Sequence, residues 1–287
     1  RLTVSHGALY LGLGSGVGEC CPTNELSGWV YDAAQCKGVQ MSVVLVHGNP
    51  ETDAIWGPLR TELGRDDVIA LSPPGFGVSL PHGFDTTSDG YLNWLEHELE
   101  QLDGPIDLVG HDWGGGHVIR VAMTRPDLIR SWCTDIIGIF NHDYVWHDAA
   151  QNWQGPDGEA AVKSLTDLPD ADRAAVFAQL GMGESVAEKV SPWINDDMGQ
   201  AILGLYRSAA QPIVGELGDD LPSAAQRPGL CIFATEDTYT GGEELHRRAA
   251  ERCGAEVAVL DGLGHWWMCE DPTRAAELLN NWFDGQD

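Results

Sequence analysis

The chain has 287 residues, of which 43% are hydrophobic and 21% charged, values typical of a globular protein. Its 16 basic and 44 acidic residues give a formal net charge of −28, which repels nucleic acids, anionic membranes and anionic ligands, so we expect a small, neutral, apolar partner. Apolar runs are far shorter than the roughly 20 residues that cross a bilayer, and no transmembrane segment is predicted.

Short apolar runs and amphipathic stretches alternate along the chain. The first 40 residues are rich in glycine, and we expect antiparallel edge strands there. Further along, nearly continuous apolar runs predict strands buried on both faces at 41–46, 68–71, 106–109, 230–234 and 257–260. Amphipathic, helix-like stretches lie at 54–64, 89–102, 114–125, 242–252 and 271–283. The alternation predicts an α/β fold with a mostly parallel central sheet flanked by helices.

This alternation breaks between about residues 138 and 222. The segment has helical patterns and no convincing strand, and the alternation resumes after it. We therefore predict a core domain of residues 1–137 and 223–287, with residues 138–222 inserted as a helical cap, here named the cap segment. Placed over the sheet, the cap segment would cover a substrate pocket, which we expect to be lined by Trp146, His147, Trp153 and Trp193.

A glycine-rich turn follows the predicted strand at 106–109, with the sequence Gly110-His111-Asp112-Trp113-Gly114-Gly115. A predicted helix begins at about Trp113, so the order is strand, tight turn and helix, which is the context of a nucleophile elbow. Glycines relieve clashes around a strained central residue, and the helix N-terminus adds amide donors beside the Asp112 carboxylate. An ordinary turn with an aspartate helix cap is the alternative that these residues leave open.

The sequence Gly-His-Asp-Trp-Gly-Gly resembles the elbow of epoxide hydrolases and haloalkane dehalogenases, two groups of the α/β-hydrolase superfamily. Esterases and lipases of this fold carry serine where this chain has Asp112. The resemblance implies the α/β-hydrolase fold with an inserted helical cap. It also implies attack of Asp112 on a saturated carbon, giving an ester that water then hydrolyses. Neither a metal nor an organic cofactor is implied.

Two further segments resemble parts of the same site. His47-Gly48-Asn49-Pro50 is similar to the oxyanion-hole loop of the family, which implies that the main-chain N–H groups of Asn49 and Trp113 stabilise the tetrahedral intermediate. The Asn49–Pro50 bond is a candidate cis peptide. Leu263-Gly264-His265-Trp266 follows the last predicted strand, where the fold places its general base, which implies His265 in that role.

The base needs a carboxylate that orients its ring and stabilises the imidazolium. Asp237 follows the predicted strand at 230–234 and occupies the usual acid position of the family, so we favour it. Asp135, after the strand that follows the elbow helix, is the alternative, because some haloalkane dehalogenases draw their acid from that strand.

The cap segment favours epoxide over carbon–halogen chemistry. Leu205-Tyr206-Arg207-Ser208 resembles the epoxide hydrolase segment whose tyrosine protonates the opening epoxide. Tyr144 is the expected partner of Tyr206, with His147 or Trp153 as its replacements. The resemblance therefore implies hydrolysis of a neutral epoxide to a vicinal diol.

Other functions stay open. A haloalkane dehalogenase would use Asp112 as nucleophile, with Asn49 and Trp113 as halide donors, and a non-catalytic ligand-binding homologue is a lesser alternative. Fluoroacetate dehalogenases place arginines directly after the nucleophile, where this chain has Trp113 and glycines, with Arg120 two turns further along. We therefore do not expect that third activity.

The seven cysteines lack the spacing of a zinc or redox motif. Three lie in apolar stretches and are expected to be buried thiols: Cys133, Cys231 and Cys269. Three near the N-terminus could form a bridge: Cys20, Cys21 and Cys36. A reducing cytoplasm is the expected compartment, and the sequence predicts no oligomeric state.

Overall fold

A parallel β-sheet forms the centre of the part of the chain that the structure, a computed structural model, describes: residues 41–286. Its strands are β1 (Ser42–Val46), β2 (Val68–Leu71), β3 (Ile106–Gly110), β4 (Ser131–Thr134), β5 (Gly229–Ala234) and β6 (Glu256–Leu260). They lie in the order β2-β1-β3-β4-β5-β6, and every neighbouring pair is parallel. The antiparallel strands expected in the first 40 residues lie outside the described residues.

The five predicted strands are present, with bounds close to those expected. Burial on both faces holds for β1, β3 and β5, whereas the edge strands β2 and β6 are mostly half-buried or exposed, so that part of the prediction is wrong for them. β3 and β5 are buried at every residue, as strands covered on both faces should be, which explains their continuous apolar sequences. β6 lies at the edge of the sheet and leaves Glu256 and Val259 exposed, which explains why a charged residue is tolerated in its otherwise apolar sequence. The α/β class and the parallel sheet are therefore confirmed.

Helices accompany the sheet throughout the described residues. In chain order they are α1 (Trp56–Leu63), α2 (Ser88–Glu100), α3 (Trp113–Thr124), α4 (Asp148–Gln154), α5 (Gly158–Thr166), α6 (Asp170–Phe177), α7 (Glu184–Val190), α8 (Asp196–Ser208), α9 (Ile213–Leu217), α10 (Glu243–Cys253), α11 (Trp267–Glu270) and α12 (Pro272–Asp284). The helical stretches predicted between the strands correspond to α1, α2, α3, α10 and α12. None of the described helices has both the length and the apolar character that crossing a membrane requires.

The chain between β4 and β5, all of which the structure describes, contains α4 to α9 and no strand. This agrees with the helical content predicted for the cap segment. The bounds of a separate cap domain stay a prediction, because helical content alone does not define a domain.

The loops at the carboxyl ends of the strands carry the predicted site residues. Parallel α/β sheets bind their ligands at this edge. Asn49 follows β1, Asp112 follows β3, Asp135 follows β4, Asp237 follows β5 and His265 follows β6. One edge of the sheet therefore gathers the expected nucleophile, base and both candidate acids.

The cysteines within the described residues are free thiols. Cys133 and Cys231 are buried, as predicted, whereas Cys269 is only half-buried. The N-terminal cysteines of the suggested bridge lie outside the described residues.

The acidic excess makes the stability of this fold dependent on salt. A net charge of −28 destabilises the folded state through self-repulsion, which dissolved ions screen over a Debye length that falls from about 30 Å at 0.01 M salt to about 3 Å at 1 M. We expect the thermal unfolding midpoint to rise with potassium chloride across this range. Sucrose, which favours burial without screening charge, is the control. A midpoint that stays flat or falls with added salt would contradict this expectation.

Candidate active site

Asp112 lies in a strained turn between β3 and α3. Its φ of 49° and ψ of −132° make it the one non-glycine residue with positive φ among those described. Such a conformation costs about 1–3 kcal/mol and persists only where the surroundings enforce it. The Asp112 N–H donates to Oδ1 of Asp135 at 3.0 Å, which helps to hold the turn. The predicted elbow geometry is therefore present, with the Asp112 side chain at its apex.

Two glycines let the chain close tightly around this carboxylate. A Cβ atom at Gly48 would overlap the Asp112 side chain and the main-chain nitrogen of Trp113. A Cβ atom at Gly114, in the first turn of α3, would overlap the carbonyl oxygen of Val46 at the end of β1. The oxyanion loop and the elbow helix approach each other this closely only because both positions lack a side chain.

Main-chain donors face the Asp112 carboxylate. The Asn49 N–H donates to Oδ1 at 2.8 Å, and the Asn49–Pro50 bond is cis, as predicted. Burial raises the pKa of Asp112 to about 6, with Glu51 adding to the rise while His265, His111 and the Trp113 amide lower it. The carboxylate is therefore mainly ionised at neutral pH, and donors already face one of its oxygens.

His265 faces the nucleophile and is held by Asp237. Its Nε2 lies 3.9 Å from Oδ2 of Asp112, and its Nδ1 lies 2.8 Å from Oδ2 of Asp237. The other Asp237 oxygen accepts the Tyr239 N–H at 2.7 Å. Burial lowers the pKa of His265, but Asp237 and Asp112 outweigh it, so the net shift is upward. This is the order of nucleophile, base and acid that the favoured prediction requires.

Asp135, the alternative acid, contacts a different histidine. Its Oδ2 lies 2.5 Å from Nδ1 of His111 and accepts the Trp267 indole N–H at 2.7 Å. Its Oδ1 accepts the Asp112 N–H. In this arrangement Asp135 supports the elbow, and it is Asp237 that bonds the His265 ring.

Glu51 completes a buried triad of Glu51, His111 and Asp135. Its Oε1 lies 3.0 Å from Nε2 of His111 and accepts the Trp266 indole N–H at 2.5 Å, while its Oε2 accepts the Gly48 N–H at 3.0 Å. Burial lowers the pKa of His111, but the two carboxylates raise it well above its ordinary value, so the ring is an imidazolium.

Sequence reasoning assigned no role to Glu51 or His111. The motif His-Gly-Asn-Pro-Glu and the histidine before the nucleophile were both visible. Their function depends on burial and on loops distant in sequence, which the motif alone does not reveal.

Glu51 and His111, together with His265, also form the one group within the described chain whose spacing could suit a metal ion. His111, however, uses both ring nitrogens for carboxylates. These residues fit an ion-paired histidine better than a metal centre.

Tyr206, on α8, places a protonated hydroxyl beside the nucleophile. Its Oη accepts the Asn49 side-chain N–H at 3.3 Å. No acceptor for the Tyr206 hydroxyl proton occurs within hydrogen-bond reach among the described residues. Burial and the Asp112 charge raise the pKa of Tyr206 well above its usual value, so the hydroxyl stays protonated.

The other predicted donors differ in what their polar groups contact. Tyr144 donates its hydroxyl proton to the Tyr239 carbonyl oxygen at 2.6 Å. His147 accepts the Ala150 N–H on Nδ1 at 3.3 Å, and burial lowers its pKa to about 4, so its ring is neutral with a proton on Nε2. The Nε2 proton of His147 therefore takes no part in this helix-capping bond, whereas the hydroxyl proton of Tyr144 is already donated to the Tyr239 carbonyl oxygen.

Aromatic rings from the cap segment surround Tyr206. Trp153 lies 4.8 Å from it between ring centroids, Trp146 lies 5.5 Å away, and Trp146 also stacks on Trp113 at 5.8 Å. Trp193, by contrast, is 42% exposed and makes no ring contact within the described residues, so the expectation that it lines the pocket is wrong.

A buried carboxylate, a histidine facing it and a second carboxylate behind that histidine form the nucleophile, base and acid arrangement of a hydrolase. The alpha/beta hydrolase family matches residues 43–278, and the chain belongs to this family. The predicted superfamily and fold are therefore confirmed.

Relatives within the family differ in activity. The (E)-2-((N-methylformamido)methylene)succinate hydrolase of Acinetobacter baylyi is 24% identical over 84% of this chain and 90% of its own length. Among solved structures, the Cif epoxide hydrolase from Acinetobacter nosocomialis has a TM-score of 0.68 at 21% identity, covering 86% of this chain and 83% of that one. Haloalkane dehalogenase DbeA from Bradyrhizobium elkani has a TM-score of 0.67 at 21% identity, covering 87% and 92%. At these identities the structural likeness shows the fold.

Replacing Glu51 with glutamine tests the buried triad. The variant leaves the His111 imidazolium with one carboxylate, and breaking a buried ion pair costs about 3–5 kcal/mol. We expect the free energy of unfolding at neutral pH to fall by about that amount in guanidinium denaturation. Glu277→Gln, at an exposed site on α12, is the matched control and should stay within about 0.5 kcal/mol of the wild-type protein.

The pH dependence of this difference follows from the pKa of Glu51. Burial alone would raise that pKa. The charge and the hydrogen bond of His111 outweigh burial, so the pKa falls from its ordinary 4.5 to about 2. The folded-state pKa lies below the unfolded one, so the carboxylate contributes stability above about pH 4.5 that is lost as the pH falls towards 2. The stability gap between the two proteins should shrink over this window, and a constant gap would contradict the ion-pair role of Glu51.

Proposed function

We propose that this protein hydrolyses a neutral epoxide to a vicinal diol through a covalent ester on Asp112. The observation that carries the proposal is the position of Tyr206, whose protonated hydroxyl bonds the side chain of Asn49, while the Asn49 main chain bonds Asp112. A nucleophile beside a hydroxyl acid suits an epoxide, because the leaving oxygen stays attached to the substrate and needs a proton.

In the first step, the Asp112 carboxylate attacks one epoxide carbon, and the bond from that carbon to the epoxide oxygen breaks. Oδ1 accepts the Asn49 N–H, so Oδ2, which faces His265, is the attacking oxygen. The epoxide oxygen takes the Tyr206 proton. The raised pKa of Tyr206 makes the resulting phenolate basic, so it regains a proton from solvent. The product of this step is a hydroxyalkyl ester of Asp112.

In the second step, His265 activates water. The ester carries no charge, so the attraction between Asp112 and the His265 proton ends, the pKa of His265 falls, and the ring releases that proton to solvent. The neutral ring, oriented by Asp237, takes a proton from a water molecule that attacks the ester carbonyl. The Asn49 and Trp113 amides stabilise the tetrahedral oxyanion. As it collapses, the bond from the carbonyl carbon to the diol oxygen breaks, that oxygen takes the proton held by His265, and the Asp112 carboxyl group loses its proton to solvent.

A second donor beside Tyr206 would share the epoxide oxygen. Tyr144 would first have to break its bond to the Tyr239 carbonyl. His147 carries its proton on Nε2, and its ring lies 6.3 Å from that of Tyr206 between centroids. The proposal therefore assigns this role to His147, one of the two replacements for Tyr144 that the sequence suggested.

A neutral substrate fits the charges around the site. Four carboxylates lie there, those of Asp112, Asp237, Glu51 and Asp135, against two histidines whose pKa is raised, His111 and His265. Arg120, the first arginine after the elbow, donates to Ser88 at 2.9 Å and to Asp89 at 2.6 Å. An anionic substrate would meet repulsion without a free arginine from α3 to bind it.

Haloalkane dehalogenation is a second candidate because of Trp113. Its indole N–H is buried and makes no hydrogen bond of ordinary geometry among the described residues, although it interacts with the Tyr206 hydroxyl and lowers the pKa of that group. A departing halide needs N–H donors rather than a proton, and the Trp113 indole and the Asn49 amide would supply them. In that chemistry the hydroxyl of Tyr206 has no catalytic task.

The ester intermediate is tested with His265→Ala. Alkylation of Asp112 needs no base, whereas hydrolysis of the ester does. Loss of the His265 charge raises the pKa of Asp112, so the variant is treated with styrene oxide at a pH above neutral that keeps Asp112 ionised, and the elbow peptide should gain the mass of one epoxide. Asp112→Asn is the control and should gain no mass.

In a single turnover of the wild-type protein in oxygen-18 water, the new hydroxyl should come unlabelled from Asp112. Label in the first diol would overturn the ester mechanism, and a non-catalytic homologue would give neither adduct nor diol.

Tyr206→Phe separates the two candidate chemistries. Loss of a general acid lowers the rate by about 10²–10⁴-fold, so we expect kcat/KM for styrene oxide to fall by that factor and turnover of 1-chlorohexane to change little. Tyr144→Phe removes a hydroxyl from the same aromatic cluster and should leave epoxide turnover nearly unchanged. Undiminished epoxide turnover by Tyr206→Phe would show that Tyr206 is not the acid, and would remove the observation that favours epoxide over halide chemistry.

A further inference from the structure

A chain of ring contacts runs from Trp113, next to Asp112, to His265, which faces the Asp112 carboxylate. We name it the collar, and its members in order are Trp113, Tyr206, His147, Tyr239 and His265. The ring centroids of consecutive members lie 5.4, 6.3, 5.1 and 5.0 Å apart. His265, at the end of the collar, lies 3.9 Å from Asp112, the residue next to Trp113.

The members of the collar differ in their exposure to solvent. Trp113, Tyr206 and His265 are at most 6% exposed, whereas His147 and Tyr239 are half-buried. Trp153 packs on Tyr206 and is itself buried. Within the collar, the exposed surface therefore belongs to the pair of His147 and Tyr239.

These two residues come from separate segments of the chain. His147 is the N-cap of α4 in the cap segment, and Tyr239 lies in the loop after β5. Their rings meet edge to face at 76°, and no hydrogen bond joins the two side chains. A ring contact between two loops is a weak closure, and it can open without breaking a polar bond.

We propose that this contact is the gate to Asp112, and that the Tyr239 ring limits the width of the epoxides admitted. This inference rests on the proposed function and names its substrate class. Terminal epoxides with one slim, unbranched apolar chain pass the gate readily. Epoxides with a bulky group on each ring carbon require the Tyr239 ring to move, and they react slowly.

The Tyr239 side chain can be changed while the hydrogen bonds of its main chain are kept. Its N–H donates to Asp237 at 2.7 Å, and its carbonyl accepts the Tyr144 hydroxyl at 2.6 Å. Both bonds use the main chain and survive a change of side chain. A substitution therefore acts through the ring, which contacts His147 and His265.

The experiment compares kcat/KM for 1,2-epoxyhexane and trans-stilbene oxide. In Tyr239→Ala, we expect the ratio of the bulky to the slim substrate to rise by about tenfold or more, since size discrimination by apolar pockets is of this order. Tyr239→Phe keeps the ring and should keep the wild-type ratio. Circular dichroism confirms that both variants fold.

Three outcomes would overturn the gate. An unchanged ratio in Tyr239→Ala would show that the ring does not limit access. An equal loss for both epoxides would assign the ring to support of His265 instead. A similar rise in Tyr239→Phe would assign the effect to the hydroxyl.

Failure of the proposed function itself is distinguishable from failure of the gate. If the wild-type protein forms neither diol nor ester from any epoxide, the proposed function is wrong. The gate is then tested by calorimetric binding of hexane-1,2-diol and hydrobenzoin to the wild-type protein and Tyr239→Ala. A preferential gain for the bulky diol in the variant would support the gate, and equal affinities in both proteins would overturn it.

Discussion

The structure around the site has to keep one carboxylate, that of Asp112, ionised although it is buried at the end of a central strand. Burial pushes the pKa of Asp112 up to about 6, and a further rise would leave it protonated and unreactive at neutral pH. The charge of His265 and the hydrogen bond of the Trp113 amide oppose the rise, and the Asn49 amide bonds the same carboxylate. The strained turn allows the carboxylate to meet these groups, and the missing side chain of Gly48 makes room for it.

The charged side chains of the site form two groups, each with one histidine between two carboxylates. Above the sheet edge, Asp112 and Asp237 flank His265, whose charge state changes during the proposed cycle. Behind them, Glu51 and Asp135 hold His111 as a permanent imidazolium. In the proposed cycle His265 transfers protons while His111 keeps its charge, although the two rings lie only 4.6 Å apart between centroids.

The sequence predicts those parts of the molecule whose signals are local. Buried strands appear as continuous apolar runs, and the order of strand, glycine turn and helix is sufficient to locate Asp112. The partner of His265 is harder to predict, because Asp237 and Asp135 both follow central strands, and only the side-chain contacts separate them. Glu51, His111 and Tyr239 act through residues far away in the sequence, so no local pattern indicates their contacts. Trp193 misleads for the opposite reason, since an aromatic residue in a helical segment gives no sign of which way it faces.

Glu51 joins three catalytic loops through one carboxylate. It accepts from Gly48 in the oxyanion loop, bonds His111 in the elbow, and accepts from Trp266 in the loop that carries the base. Detaching any one of these loops would leave a buried anion short of a partner, which makes partial opening costly. The three loops therefore form a single cooperative unit, and the site is either wholly assembled or wholly lost. A partly unfolded molecule would not retain a reactive carboxylate without the base and oxyanion donors that direct it.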